Sequence, residues 1–379
     1  MLRSIPSAIL TTGFFLFIAL PVSAIEEGFV PLFNGENLDG WEIMHGGDES
    51  FTVTEDGELY CPGETGYPCW LRSEKQYENF DLRFEFMIDG WTNSGFFFHA
   101  PLHGRLSKTG FEFQIYHDRN PITKTMTGGA IFGVEPPIVN AVKERDTWQQ
   151  VRILMDWPYL RIWLNGQLIH DLNLEQHPEL RYRLREGYFG IQDTGYNAWF
   201  RNIRVRELPD KQEWQSLFNG DNLLGWYIEG SGATWSAQDG VIYAEDNGSY
   251  LVTRDEFENF ELFTYVRSDQ NANGGIFFRW NTLEGRDRGN EIQIENVPDS
   301  PHPTGSLYNI VRSDPPYINA GEWFPMQIRV EGSHVVVRVN GETTVDYRGL
   351  TTIRPGHISL QMHSWGKWIE WKDIRIREL

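Results

Sequence analysis

Residues 290–295 alternate between polar and apolar side chains from Glu291 onward. A period of two predicts a half-buried β-strand. Because successive side chains on a strand point to opposite faces, Glu291, Gln293 and Glu295 share one face, and the two isoleucines between them share the other. We expect the isoleucines to pack in a hydrophobic core, and the carboxylates and the amide to line the floor of a ligand groove.

The same alternation occurs earlier in the chain, at residues 110–116. Here Glu112 and Gln114 fall on the polar face, and Tyr116 takes the position that Glu295 has later. The two stretches therefore predict two floor strands, one in each half of the chain, each projecting a carboxylate into a groove.

The repetition extends along nearly the whole chain. Residues 32–41 return as residues 217–226 with most side chains retained, and Asn-Gly pairs at 165–166 and 340–341 each predict a hairpin turn. The repeated unit is too long for a solenoid repeat and has the size of a complete domain. The predicted organisation is a signal peptide at 1–24, a first domain at 25–208, a linker at 209–213 and a second domain at 214–379.

Short strands separated by turns are predicted throughout. Aromatic residues make up 14% of the 379 residues and 37 residues are glycine; aromatic side chains favour strands, and glycine suits tight turns. No stretch has the apolar spacing of three and four that a long amphipathic helix needs. The predicted fold class is all-β, each domain being a sandwich or jelly roll. The Asn-x-Gly segments at 93–95 and 273–275 are interpreted as turns.

The charge and the first residues narrow the range of partners. A formal net charge of -20 repels phosphate backbones and anionic lipid surfaces, which argues against nucleic acid as a ligand. Arg3, an apolar run and a small-residue site at Val22-Ser23-Ala24 are typical of a secretory signal. The run is shorter than the roughly 20 residues of a spanning helix. We expect an exported protein, periplasmic or extracellular, with no membrane association after cleavage.

The two cysteines, Cys61 and Cys69, flank a loop rich in Pro and Gly. In an oxidising compartment a disulfide across this loop is one expectation, and a pair of free thiols is the other.

Several spaced motifs together resemble the 3-keto-disaccharide hydrolase domain family. They are Leu-Phe-Asn-Gly…Gly-Trp, Asn-x-Gly-x-Phe, Gly-x-Glu-x-Gln-Ile and, at the end of the first copy, Phe-Arg-Asn-Ile-Arg…Glu-Leu. The resemblance covers nearly all of residues 29–208 and 214–379, once each. It implies a concanavalin A-like jelly roll with a groove on its concave sheet. It also implies cleavage of glycosides already oxidised to a ketone at sugar C3, by hydrolysis or by elimination and rehydration.

That chemistry suggests roles for residues of the second domain. A C3 ketone acidifies the proton on C2, so the site needs a base, a donor for the oxyanion and a proton route for the leaving group. Glu291 is the predicted base, and His363, where the family commonly has histidine, is the predicted second acid or base. The predicted substrate-binding residues are Asn273, Gln293 and Gln361, with Arg279 and Lys367 polarising the carbonyl and Trp280 or Trp365 stacking on a sugar.

The first domain departs from this pattern. Thr194 stands where His363 stands, and His99 stands where Arg279 stands. Glu112 is its predicted catalytic carboxylate, and the predicted substrate-binding residues are Asn93, His99, Gln114 and Gln192. This domain is expected either to use a different base or only to bind sugar.

Two other functions fit the sequence. A retaining glycosidase of the laminarinase type needs two carboxylates as nucleophile and acid, and Gln293 replaces the central Asp of that strand motif. A tandem carbohydrate-binding, lectin-like protein would gain avidity from two weak sites. In each case the partner is an oligosaccharide or a 3-keto-glycoside.

A metal cofactor is left open. A calcium ion fits an exported jelly roll, and oxygen and nitrogen ligands lie near the second floor strand in the sequence, but their spacing is not diagnostic. The candidate ligands are Asp287, Glu295, Asp299 and His302.

Overall fold

The computed structural model describes residues 26–90, 92–118, 120–211, 213–281, 288–297 and 299–379. The predicted signal peptide and the candidate ligand Asp287 lie outside the described residues. Within the described residues, no helix is long and apolar enough to cross a membrane.

The first half of the chain forms two antiparallel sheets. The larger has the order β11-β10-β9-β6-β13-β4-β3, with β1 paired to β13, and the smaller has the order β2-β5-β12-β7-β8. Their strands are β1 (Val30–Pro31), β2 (Trp41–Met44), β3 (Thr52–Val53), β4 (Leu59–Cys61), β5 (Trp70–Tyr77), β6 (Phe80–Ile88), β7 (Asn93–Ala100), β8 (Phe111–Tyr116), β9 (Gln149–Asp156), β10 (Tyr159–Leu164), β11 (Gln167–Asn173), β12 (Gly187–Gln192) and β13 (Ala198–Glu207). The helical segments are α1 (Leu106–Thr109) and two 3-10 turns, Asp48–Ser50 and Leu174–Gln176.

The second half repeats this arrangement with fewer, longer strands. They are β14 (Gln215–Ser216), β15 (Trp226–Gly230), β16 (Thr234–Gln238), β17 (Val241–Phe257), β18 (Phe260–Ser268), β19 (Asn273–Trp280), β20 (Asn290–Glu295), β21 (Phe324–Glu331), β22 (His334–Val339), β23 (Glu342–Arg348) and β24 (Gly356–Glu378). One layer is β15-β17-β24-β19-β20, and the other contains β16, β17, β24, β18, β21, β22 and β23.

The two long strands β17 and β24 run through both layers of the second half. The first part of β17 pairs with β16 and the last part of β24, whereas its later part pairs with β15 and the first part of β24. In the first half the equivalent strands are interrupted, so the layers are separate sheets. The chain is therefore all-β and consists of two tandem jelly-roll sandwiches, as the sequence predicted.

The alternation in both floor strands is confirmed. In β8, Phe111, Phe113 and Ile115 are fully buried in the first core, and in β20 the same is true of Ile292 and Ile294 in the second core. The polar residues of each strand consequently project from the outer face of the smaller layer, which is the face that can carry a groove.

The repeated segment that opens each domain is a side-chain-stabilised turn. Asn34 Oδ1 accepts two backbone N–H bonds (2.8 and 2.9 Å), and Asn219 Oδ1 does the same (3.0 and 3.0 Å). The indole N–H of Trp41, like that of Trp226, donates at 2.7 Å to the carbonyl nine residues before it. The motif is accordingly structural in both copies.

Cys61 and Cys69 are both buried and are present as free thiols. Burial, together with the nearby Asp193 carboxylate, raises the pKa of the Cys61 thiol to about 12. Of the two expectations for this pair, the structure contains the reduced one.

The two halves contact each other directly. The Leu102 N–H donates to the Tyr265 hydroxyl at 2.6 Å, and the Arg338 guanidinium donates to the Tyr182 carbonyl at 2.6 Å. These bonds join loops of the first half to the larger layer of the second, on the side away from the second floor strand.

Candidate active site

The outer face of the smaller layer in the second half carries an open groove with ≈ 1020 Å³ of free space. Strands β17, β19, β20 and β24 supply its floor, and a segment following β20 supplies one wall. The lining residues are Tyr250, Asn273, Phe277, Arg288, Gly289, Asn290, Glu291, Gln293, Tyr308, Asn309, Ile310, Gln361 and His363. Five of the predicted site residues thus lie together: Asn273, Glu291, Gln293, Gln361 and His363.

Glu291 is the only carboxylate among these lining residues. It projects from β20 next to the core-facing Ile292, beside Phe277 of the adjacent strand. Burial raises the pKa of the Glu291 carboxyl to about 8, against a smaller opposing effect of the Arg288 guanidinium. A carboxyl group that titrates near neutral pH in a groove is suited to general acid or base catalysis.

The Asn-x-Gly segments are not turns, which corrects the sequence interpretation. They open strands β7 and β19, and their glycines make room for the floor carboxylates. A Cβ atom built on Gly275 would lie 2.5 Å from Glu291 Oε1, and one built on Gly95 would lie 2.4 Å from Glu112 Oε1. The signal in the sequence was a glycine 17 residues before Glu112 and another 16 residues before Glu291, but only strand pairing reveals its cause.

Two buried amides present unpartnered oxygens in the groove. Gln293 and Gln361 are 2% and 7% exposed, and the Oε1 atom of each is buried without a hydrogen-bond partner among the described residues. The Gln361 amide N–H donates to the Tyr250 hydroxyl at 3.1 Å, which leaves its oxygen directed elsewhere. Such acceptors are normally satisfied, so a ligand that donates hydroxyl groups would complete both.

His363 is exposed at the rim of the groove. Lys367, further along β24, forms an ion pair with Asp269 at 3.1 Å and does not line the groove. Trp365 is 73% exposed, whereas Trp280 is fully buried with its indole N–H donating to Glu229 at 3.1 Å. Of the two tryptophans proposed as sugar platforms, only Trp365 is accessible.

Arg279 and His99 are structural residues, so the prediction that they contact substrate is wrong. Arg279 is fully buried, and its guanidinium donates to the carbonyls of Glu258, Gly332 and Thr352. The His99 ring nitrogens lie 2.7 and 3.0 Å from two backbone carbonyl oxygens. Both residues have positive φ (55° and 50°) and break the pairing register at the same place in their strands.

The first half has no equivalent access to its carboxylate. Glu112 is 3% exposed, and its carboxylate accepts a hydrogen bond from Ser107 of α1. Trp70 and Phe97 pack with Leu106 of the same helix on this face of the sheet. The prediction that Glu112 projects into an open groove is therefore wrong: helix α1 covers the position.

Burial nevertheless affects Glu112 as it affects Glu291. It raises the pKa of the Glu112 carboxyl to about 8, although the Ser107 hydrogen bond and the Arg183 guanidinium act in the opposite direction. Gln114 is 2% exposed and donates to Asn93 at 2.7 Å, and Gln192 is half-buried. Glu112 and Gln114 are therefore buried, whereas Asn93 and Gln192 remain partly accessible.

The candidate metal ligands do not converge. Among the described residues, no group of three or more His, Cys, Asp or Glu side chains is placed to hold a metal ion. Glu295 accepts hydrogen bonds from Ser300 and from Asn273, and the His302 ring lies 4.6 Å from that of Tyr308. These two side chains are committed to local contacts.

Sequence reasoning missed the cation of the groove. Arg288 lies just before β20 and is the one Arg or Lys among the lining residues. Tyr250 and Tyr308 were also unassigned, and both carry hydroxyls at the groove. No pattern marks these three residues, because their position depends on how separate loops and strands meet.

A jelly roll with a polar groove on its smaller layer, lined by amides, hydroxyls and one desolvated carboxylate, defines a carbohydrate-active protein. The sequence comparison is more specific. The chain belongs to the family of 3-keto-alpha-glucoside-1,2-lyase-like domains, whose profile matches residues 28–206 and again 213–377. The resemblance inferred from the spaced motifs is thereby confirmed.

Individual relatives are distant. A 3-keto-disaccharide hydrolase from Bacteroides thetaiotaomicron is 24% identical over 247 residues, covering 50% of this chain and 81% of that protein. A Parabacteroides distasonis structure, provisionally assigned as a glycosyl hydrolase, is 25% identical with a TM-score of 0.43, covering 48% of this chain and 95% of that one. A Bacillus subtilis carbohydrate-binding module is 12% identical with a TM-score of 0.31, covering 41% and 96%.

Proposed function

We propose that the second domain cleaves 3-keto-glycosides in the groove above Glu291. The observation that carries the proposal is the placement of a single carboxylate, with its pKa raised by burial to about 8, on the floor of a sugar-sized polar groove. Family membership and the relative named as a 3-keto-disaccharide hydrolase support the same substrate class.

Glu291 acts as the base in this proposal. Its carboxylate removes the proton from C2, and the electron pair of that C–H bond forms an enolate with the C3 ketone. The enolate then expels the group on C1, which leaves an unsaturated ketone. Addition of water at C1 completes a net hydrolysis. A base whose pKa lies near the working pH combines a useful ionised fraction with adequate basicity.

The remaining groove residues have separate roles. In this proposal Arg288, which lines the groove, stabilises the enolate oxygen, since Arg279 is buried and Lys367 is paired with Asp269. His363 at the rim supplies a proton to the departing oxygen, or passes it from solvent. The unpartnered oxygens of Gln293 and Gln361 accept hydrogen bonds from sugar hydroxyls.

The test compares a 3-keto-glucoside with the matched unoxidised glucoside. Wild type is expected to cleave only the ketone. Glu291→Gln should lose roughly 10²–10⁴-fold in turnover, since it removes a general base, and His363→Ala should lose less. Glu112→Gln is the matched control, because it makes the same change in the covered site. The wild-type rate should rise with pH towards about 8, as Glu291 ionises.

Three results would contradict the proposal. Equal rates on both substrates would remove the need for a ketone, and full activity in Glu291→Gln would move the base elsewhere. Binding of both sugars without turnover would favour the lectin-like alternative.

The groove argues against a retaining glycosidase. Glu295, its nearest carboxylate along the strand, lies four residues from Glu291, or about 13 Å at the rise of an extended strand. Retaining enzymes hold their two carboxyl groups about 5–5.5 Å apart. Glu295 is also hydrogen-bonded to Ser300 and Asn273, which holds it away from the role of nucleophile.

A further inference from the structure

A narrow cleft lies between the two halves, away from the groove. One side is the loop that carries Arg183 and Arg185 of the first half. The other is the larger layer of the second half, which contributes Arg329, Arg338 and Arg377. Glu261 is the only acidic residue among the lining residues, which include five arginines.

Glu261 is already fully engaged. It accepts from Arg377 Nε at 2.7 Å and from Arg329 Nη1 at 2.5 Å. Although burial opposes ionisation, the arginines Arg377, Arg185 and Arg329 lower the pKa of this carboxyl to about 2. Glu261 is therefore an anion at every ordinary pH and still leaves the cleft with excess positive charge.

Two buried donors of the cleft lack acceptors among the described residues. Arg377 is 2% exposed, and its Nη1 atom is buried without a hydrogen-bond partner. The buried indole N–H of Trp214, whose ring lies 4.7 Å from the Arg377 guanidinium carbon, also has none. Arg185 is half-buried and lies 4.1 Å from the centre of the Trp157 ring. Buried donors are normally paired, so the Arg377 and Trp214 groups require an explanation.

The excess charge is also costly to bury. Desolvation lowers the pKa of Arg183 and of Arg185 to about 10, and that of Arg338 to about 9. A bound anion would offset this cost by neutralising part of the positive charge. A water molecule would accept hydrogen bonds from the donors but would leave the charge unchanged. The chain as a whole carries a net charge of -20, so an isolated cationic cleft is not part of a general basic surface.

We propose that the cleft between the two halves binds a small oxyanion of the carboxylate or phosphate class, held by Arg185, Arg377 and the Trp214 indole N–H. The planar guanidinium fork matches such oxyanions in geometry. The narrow cleft admits a small ion or the charged end of a larger molecule. Because the donors come from both halves, occupancy would stabilise their contact.

The experiment measures thermal unfolding of the full chain in sodium chloride, acetate and phosphate at matched ionic strength and pH 8. A ligand that binds only the folded state raises the midpoint in a saturable way. We expect saturation by acetate or phosphate at lower concentration than by chloride, and the more effective of the two identifies the class. Calorimetric titration with phosphate in low-salt buffer measures the binding directly.

Two variants locate the site. Trp214→Phe keeps an aromatic ring and removes the indole N–H. Arg185→Met keeps a long unbranched side chain and removes the charge. Each should raise the half-saturating concentration about tenfold or more, since charge-assisted hydrogen bonds are lost. Arg161→Met is the control, because Arg161 is an exposed cation paired with Asp171.

An identical shift of the unfolding midpoint in all three salts would mean that the salts act only by screening charges, and would overturn the proposal. Wild-type saturation in both cleft variants would also overturn it, because the anion would then bind elsewhere. The wild-type titration decides the first point even where a variant does not fold. Neither outcome bears on the proposed activity at Glu291.

Discussion

Replacing Glu112 by Gln is the substitution that best distinguishes the covered carboxylate of the first half from the accessible carboxylate of the second half. The carboxyl group is buried, accepts a hydrogen bond from Ser107 of helix α1, and has its pKa raised to about 8. Glutamine has the same shape and cannot ionise. The wild-type protein must bury a charge as pH rises, and the variant need not, so the two should diverge in stability with increasing pH.

The magnitude follows from the shift. In the unfolded chain the carboxyl has its ordinary pKa of 4.5, and in the folded state about 8. Because the folded pKa is the higher one, the stabilising contribution of the protonated group is complete below 4.5 and is lost as pH rises towards 8. At about 1.36 kcal/mol per pKa unit, the variant should gain under about 1 kcal/mol at pH 5, about 3 at pH 7 and about 5 at pH 9.

The assay is urea unfolding of wild type and Glu112→Gln at pH 5, 7 and 9. Any constant cost of the amide, such as a poorly paired N–H group, cancels when the difference is followed across pH. The expected change in that difference is therefore about 4 kcal/mol between pH 5 and 9. Glu36→Gln, at an exposed carboxylate, is the control and should give a nearly constant difference.

A pH-independent difference between Glu112→Gln and wild type would refute the reasoning, since the carboxyl would then be solvated. Loss of 3-keto-glucoside turnover in the same variant would also contradict the assignment of Glu112 as a covered, non-catalytic residue. It would mean that the first half opens and contributes a catalytic group.

Two further substitutions test how the groove is built. Gly275→Ala places a Cβ 2.5 Å from Glu291 Oε1 and should displace the carboxylate, which would lower kcat about 10²-fold. Gly95→Ala, the control, should affect only stability. Equal kcat in Gly275→Ala and wild type would contradict this contact. In Arg279→Met, three backbone carbonyls lose their hydrogen-bond donor. The free energy of unfolding, measured with urea, should fall by about 3 kcal/mol, and KM from steady-state kinetics should be unchanged. A raised KM at unchanged stability would instead place Arg279 at the substrate.

Alternation in the sequence was sufficient to predict both floor strands and their two faces. The isoleucines of β20 and the apolar residues of β8 are buried in the cores, because the side-chain period of a strand is two whatever surrounds it. The family was likewise readable from spaced motifs, since the same motifs recur in the same order in both copies.

Equivalent sequence positions in the two copies gave wrong predictions where the role of a residue depends on which segments cover it. Arg279 and His99 occupy equivalent places, and both bind backbone carbonyls beneath the surface. Glu112 and Glu291 have the same local pattern, yet α1 covers the first and a groove opens over the second. A strand pattern specifies which face a side chain takes but carries no information about the layer above it.

The sequence by itself determined the all-β class, the duplication, the family and the orientation of the floor carboxylates, because these depend on local periodicity and spacing. Only the tertiary structure decided which carboxylate is accessible, that Arg288 accompanies it, and that five arginines meet between the halves. Those facts depend on contacts between segments far apart in the chain. Residue spacing within a segment does not encode such contacts.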